Sequence, residues 1–167
     1  MAQTQTSCPR CRQPVIADVT QLFDMHQDST AKQKLLSGAF NLIQCPHCGY
    51  NGSLNTPIVY HDPDKELLLT YFPPELGVPA NEQEKLIGPL IKQTTDRLPP
   101  EKRKSYLLTP KTMLTMQGLI ETILESDGIT REMIEEQQNQ IKLLQQLMNT
   151  PEEQRKELIT KEESNIN

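Results

Sequence analysis

Cys8-Pro9-Arg10-Cys11 and Cys45-Pro46-His47-Cys48-Gly49 hold all four cysteines of the 167-residue chain. A C-x-x-C turn aims two thiolates at one point about 2.3 Å from each sulfur, and a second such turn completes a tetrahedron around a metal ion. Two turns with no cysteine left over predict one closed site, with Cys8, Cys11, Cys45 and Cys48 as its ligands. Zn²⁺ is the leading ion. Iron in a rubredoxin-like site uses similar turns, and the ligand set does not separate the two metals. Free buried thiols would not pair twice at one spacing, disulfides are disfavoured in a reducing compartment, and a redox-active C-x-x-C needs only one pair.

The two turns are not equivalent. Gly49 follows the second pair and can take φ > 0 without a Cβ clash, leaving backbone N–H groups free to point at the sulfurs. Arg12 stands at the matching position of the first pair. A non-glycine residue held in the left-handed region costs about 1–2 kcal/mol, so the first turn either carries that strain or leaves by another route. The pairs are separated by 33 residues, longer than the ~15–20 of the common ribbon pattern. The intervening segment is therefore expected to be ordered in its own right.

Composition supplies the frame around the site. Apolar residues make up 35% of the chain and aromatics 4%, lean for one compact core. All Val, all Phe and six of the seven aromatics precede residue 79, whereas later apolar content is almost entirely Leu, Ile and Met among Gln, Glu and Lys. β-Branched and aromatic residues suit strands, and straight-chain residues suit helices. The expected fold class is α+β: a small antiparallel, zinc-ribbon-like β head over residues 1–78, then an α-helical region over 79–167 with a frayed end at Lys161–Asn167.

Val15–Leu22 is expected to be a strand, 23–33 a polar loop, and Gly38–Gln44 a strand with Phe40, Leu42 and Gln44 on one face. Ile58–Tyr60 and Leu67–Phe72 flank Asp62-Pro63-Asp64, a turn in which Pro presets φ and Asp bonds the local backbone. Both metal turns are expected to sit on this one antiparallel sheet. In the helical half, Asn81-Glu82-Gln83-Glu84 has capping-box spacing, and Gly88-Pro89 predicts a kink or two short helices. Thr109 and Pro110 read as N-cap and N1 of a helix ended by Asp127-Gly128. Thr130 caps the next, whose Ile, Leu and Met spacing is heptad-like except at Gln137. Thr150-Pro151-Glu152-Glu153 opens a last helix.

Taken together, Cys8-Pro9-Arg10-Cys11, the Leu36-Ser37-Gly38-Ala39-Phe40-Asn41 lead into the second cysteine turn, and the Tyr60-His61-Asp62 hairpin with its Leu-rich return strand resemble the CpXC proteins. The resemblance covers about residues 7–75. It implies metal binding through the four cysteines and no established activity. The helical extension, with its segment Asp127–Ile134, is similar to the region C-terminal to the domain in such proteins.

Of the three histidines, His47 is expected to face solvent because Cys45 and Cys48 fill their turn's share of the site, and His26 to be solvated in the polar loop. His61-Asp62 reads first as a pair that fixes the hairpin turn; the alternative is a His that orients a partner or a proton.

Charge and motif content narrow the function. Lys and Arg number 17 against 22 Asp and Glu, and both halves are net negative. Four thiolates around Zn²⁺ add a further −2. A nucleic-acid-binding zinc ribbon is therefore disfavoured, since such binding rests on clustered cations. The one basic cluster, Arg97, Lys102, Arg103, Lys104 and Lys111 against Glu101, reads as a solvated loop. No apolar run approaches a membrane span and the first residues lack a secretory pattern, which points to a soluble, cytoplasmic protein. P-loop, Rossmann, G-x-S-x-G and H-E-x-x-H motifs do not occur. A closed four-cysteine site also leaves no open position for a catalytic water. The sequence thus predicts a non-enzymatic zinc protein with an interaction surface for an unidentified protein partner and a helical region able to form a homo-oligomer. A rubredoxin-like electron carrier is the alternative.

Overall fold

The computed structural model describes residues 2–151. The chain is α+β and divides into two compact units between Thr122 and Ile123.

In the first unit each cysteine turn closes a hairpin of its own. β1 (Ala2–Ser7) pairs antiparallel with β2 (Pro14–Val19), from Ala2↔Val19 to Ser7↔Pro14. β4 (Leu42–Gln44) pairs with β5 (Asn51–Ser53), closing at Gln44↔Asn51. Together they bury Val15, Ala17, Ile43 and Leu54 with Cys8 and Cys45, and Val19 and Tyr50 pack around the edge. Ile43 is the inward residue of β4, whereas Leu42 and Gln44 share the exposed face.

The apolar strands form a separate sheet in the order β3 (Leu22–Asp24), β6 (Ile58–Asp62), β7 (Leu67–Tyr71) and β8 (Lys111–Met113). β6 and β7 are the antiparallel hairpin expected from the Asp-Pro-Asp turn, but both outer strands join in parallel. The single antiparallel sheet carrying both turns is thereby corrected to two ribbons and a mixed four-stranded sheet. All residues of β6 and β7 are buried, the pattern of strands covered on both faces. α2 (Ala80–Arg97) packs on one face, where Ile87, Leu98 and Leu107 meet Val59, Leu68 and Phe72. On the other, Leu35, Phe40, Met116 and Ile120 line a cleft with Ile58 and Tyr71.

Several local expectations give way to tertiary contacts. The polar segment 23–33 contributes Phe23 and Asp24 to the sheet and then α1 (Ala31–Ser37), which buries Ala31 and Leu35, four residues apart on one face. α1 ends at Gly38, φ 67°. α2 starts at Ala80 with Pro79 as N-cap and without a side-chain cap; the Gln83 amide instead donates to the Val78 carbonyl at 2.7 Å. It continues through Gly88-Pro89 as one helix. Thr109-Pro110 opens no helix. Residues 111–113 are drawn into the sheet as β8, and α3 (Met116–Ser126) begins beyond Thr115, whose hydroxyl accepts the Gly118 N–H at 2.9 Å. The sequence boundary at 78/79 falls inside this unit, in which α2 packs on the core of β6 and β7 and β8 pairs with β7.

In the second unit, the N–H groups of Gly128 and Ile129 close the end of α3 on the carbonyls of Glu125 and Leu124, each at 3.0 Å, with Gly128 at φ 81°. Thr130 caps α4 (Arg131–Asn149) by accepting the Met133 N–H, as its sequence predicts. None of the 19 residues of α4 is buried. The last expected helix and the frayed end lie, from residue 152 onward, outside the described residues.

Candidate metal centre

The two ribbons present the cysteines through one repeated hydrogen-bond scheme. Cys8 N–H donates to the Gln13 carbonyl at 2.9 Å and Arg12 N–H to the Cys8 carbonyl at 2.9 Å. Cys45 N–H donates to the Tyr50 carbonyl at 2.8 Å and Gly49 N–H to the Cys45 carbonyl at 3.0 Å. Each turn is thus folded back on its first cysteine, which carries both sulfurs to the same side. Gly49 has φ 72° and Arg12 φ 60°. The first turn therefore uses the same exit and carries the strain that glycine avoids in the second.

The packing of the ribbons brings the two pairs together. The four sulfurs all lie within 4.8 Å of one another, a grouping that could hold a metal ion. Across the ribbons, Cys8 Sγ is 3.7 Å from Cys48 Sγ and Cys11 Sγ is 3.7 Å from Cys45 Sγ. Sulfurs held about 2.3 Å from a central ion stand about 3.8 Å apart along a tetrahedron edge. The residues present fit a tetrathiolate site. Cys8 and Cys45 are buried, while Cys11 and Cys48 are partly exposed.

Burial pushes the Cys8 thiol up, but the backbone N–H groups of Cys11 and Arg10 and the neighbouring sulfurs hold it down at about 6. The Arg10 N–H lies 3.4 Å from Cys8 Sγ. At Cys11, the backbone N–H of Gln13 favours the thiolate, yet burial and the three other sulfurs together push it up to about 12. A cation among the sulfurs would favour the thiolate that the neighbouring sulfurs oppose at Cys11.

A family model described as CpXC protein matches residues 6–138. The chain belongs to the CpXC family. The match runs well past the 7–75 span of the sequence resemblance, taking in α2, α3 and the start of α4. No curated protein and no solved structure matches the chain.

The histidines of this CpXC chain stand apart from the sulfurs. His47 is exposed and His26 half-buried, and neither joins the cluster. His61 is wholly buried in β6 rather than displayed at the hairpin tip. Its Nδ1 lies 2.8 Å from Asp24 Oδ1, and its Nε2 lies 2.8 Å from the Tyr106 hydroxyl. Asp24, also buried, accepts the His26 backbone N–H on the same oxygen. Asp62 performs the turn role expected of it by accepting the N–H groups of Asp64 and Lys65, at 3.1 and 3.3 Å. Its other oxygen lies 3.6 Å from Lys32 Nζ and 3.3 Å from the Tyr60 hydroxyl.

Asp24 and Tyr106 lie 37 and 45 residues from His61 in the chain, so no local motif announces them. Burial and the carboxylates of Glu66, Asp24, Asp62 and Asp64 push the Tyr106 phenol up to about 12. The three side chains join β3, β6 and the 3₁₀ turn Ser105–Leu108 through hydrogen bonds. Two members of the basic cluster are likewise tied down: Arg103 donates to the carbonyls of Leu98 and Asp96, and Lys104 pairs with Glu66.

Proposed function

We propose that this CpXC chain is a non-enzymatic, cytoplasmic zinc-binding protein. Cys8, Cys11, Cys45 and Cys48 hold one structural Zn²⁺, and the chain acts as a protein-interaction module whose helical region associates with itself or with a partner. The 3.7 Å contacts between sulfurs of opposite ribbons carry the metal reading, because thiols from two different hairpins converge at tetrahedral spacing. Zinc supplies cross-linking here rather than chemistry. Four thiolates fill its usual coordination, and the small core beside them gains from the metal the free energy that few apolar residues provide.

The reading is tested by metal analysis of purified protein. One zinc per chain and a colourless solution are expected; a red preparation with one iron per chain and thiolate charge-transfer absorption would replace zinc with iron. The interaction reading is tested by affinity capture with wild type and Cys45→Ser as baits. Wild type is expected to retain a specific protein that the variant loses. Identical sets on both baits would show that the ribbons do not form the recognition surface.

A further inference from the structure

We propose that Cys11 and Cys48 are modification sites at which a peroxide opens the metal centre. Oxidation replaces the metal with two disulfides joining ribbon to ribbon, one between Cys11 and Cys45 and the other between Cys48 and Cys8. The inference deepens the tetrathiolate reading proposed above and rests on it. The four sulfurs divide by exposure. Cys8 and Cys45 are each 1% exposed, whereas Cys11 and Cys48 are partly exposed. All four are thiolates when they ligate a metal, so access decides which of them an oxidant meets first.

Each accessible sulfur also touches a buried one from the opposite ribbon. Cys11 Sγ is 3.7 Å from Cys45 Sγ, and Cys48 Sγ is 3.7 Å from Cys8 Sγ. A disulfide needs about 2.05 Å between sulfurs, so each pair has only about 1.7 Å to close. The surroundings are electropositive. Residues 7–15 and 43–54 contain no Asp or Glu, and Arg10, Arg12 and His47, next to the accessible cysteines in the chain, are exposed. Partly exposed cysteines in such surroundings are the reactive kind.

In the first step the Cys11 thiolate attacks one oxygen of hydrogen peroxide: an S–O bond forms, the O–O bond breaks, and hydroxide leaves. The Cys45 thiolate then attacks the Cys11 sulfur, forming the S–S bond, breaking S–O and expelling a second hydroxide. Cys48 and Cys8 react in the same way. Two peroxides are reduced and four thiolates become two disulfides, which leaves the metal without ligands. The ribbons stay tied to each other, unlike those of a chelated chain. In a reducing compartment such disulfides are transient, as expected of a redox-sensing site.

The experiment treats the metal-loaded full chain with hydrogen peroxide, after its metal content has been measured. A metallochromic dye follows released metal, and substoichiometric iodoacetamide labels a parallel, unoxidised sample. Disulfides are mapped by mass spectrometry: trypsin cuts after Arg10, separating Cys8 from Cys11, and fragmentation assigns Cys45 and Cys48. One metal should be released for every two peroxides consumed. Alkylation should fall on Cys11 and Cys48 in about tenfold excess over Cys8 and Cys45, and both disulfides should join the ribbons as assigned. The oxidised, metal-free chain should keep hydrogen-exchange protection at Ile43 and lose it when a thiol reductant is added with a chelator present. Disulfides within the turns, or in any other pairing, overturn the inference. So do equal alkylation of buried and exposed cysteines and metal retained in excess peroxide. Metal content read before oxidation tests the tetrathiolate centre by itself, so failure of the oxidation chemistry is distinguishable from failure of the metal reading.

Discussion

The two ribbons and the four-stranded sheet lie in one unit and hold themselves together by different means. The ribbons bury Val15, Ala17, Ile43 and Leu54, small or medium side chains, around two cysteines. The sheet buries Val59, Leu68, Phe72, Ile87, Leu98 and Leu107, drawn from β6, β7, α2 and the turns beyond it. Full burial of a Leu, Ile or Phe is worth about 1.5–3 kcal/mol, so the sheet has a core of its own while the ribbons lean on the sulfurs. A small domain can accept few apolar residues when metal coordination supplies part of its folding free energy.

The two regions should part most sharply under a strong chelator. Removing the metal is expected to open the ribbons and leave the sheet folded: amides of Cys8, Ile43 and Cys45 should lose hydrogen-exchange protection while those of Val59, Tyr60 and Leu69 keep it. Simultaneous loss in both sets would mean that the sheet depends on the metal too.

The converse experiment is Leu98→Ala. Leu98 is 1% exposed in the sheet core, and truncation there should cost about 2–5 kcal/mol in denaturant unfolding. Metal stoichiometry should stay at the wild-type value. A fall in bound metal would show that the two cores are not separable.

Within the ribbons, the two turns can be set against each other. Arg12→Gly should raise the melting temperature by relieving about 1 kcal/mol of left-handed strain, part of it offset by the greater freedom of glycine in the unfolded chain. Gly49→Ala should lower stability by a similar amount; a Cβ at Gly49 meets no atom within 4 Å, so backbone strain alone acts. Opposite signs at equal metal content are the expected result, and a loss from Arg12→Gly would show that the Arg12 side chain stabilises the turn more than its backbone strains it.

The smallest effect is at high pH. Tyr106 is raised in the fold to about 12 from an ordinary value near 10, so the unfolded chain loses its proton first. The contribution is complete below about pH 10 and disappears as pH rises towards 12. Tyr106→Phe should flatten the fall in melting temperature over that window while lowering stability at neutral pH through the lost bond to His61. An equally steep alkaline fall in the variant would assign the loss to other groups.

Ribbons and sheet are not equally open to reading from sequence. The convergence of the cysteine turns is legible because their thiols are paired within four residues, and the twofold C-x-x-C pattern excludes most other uses of cysteine. The β6–β7 hairpin and the Thr130 cap are legible for the same reason: each is a local rule written in adjacent residues. β1 is not, because Ala2-Gln3-Thr4-Gln5-Thr6-Ser7 has no apolar alternation; the turn beside it sets its register. β8 reads as helix in the sequence because Lys111-Thr112-Met113 becomes strand only through parallel pairing with Leu69-Thr70-Tyr71. His61 reads as a turn residue, but its partners arrive from β3 and from the turn after α2, and a single sequence carries no mark of that convergence.

The late strand β8 also sets an order for synthesis. By the time Leu54 has left the ribosome, both cysteine turns and every strand of the ribbons are available. The sheet still lacks β6, β7 and, until Met113 emerges, its outer edge. Strands already out must wait for a parallel neighbour 42 residues behind, an interval in which the apolar hairpin is open to wrong pairing. A nascent chain that takes up metal early would have one finished, water-soluble element ahead of that exposed stretch, which makes the timing of metal delivery during translation a quantity on which the yield of folded protein should depend.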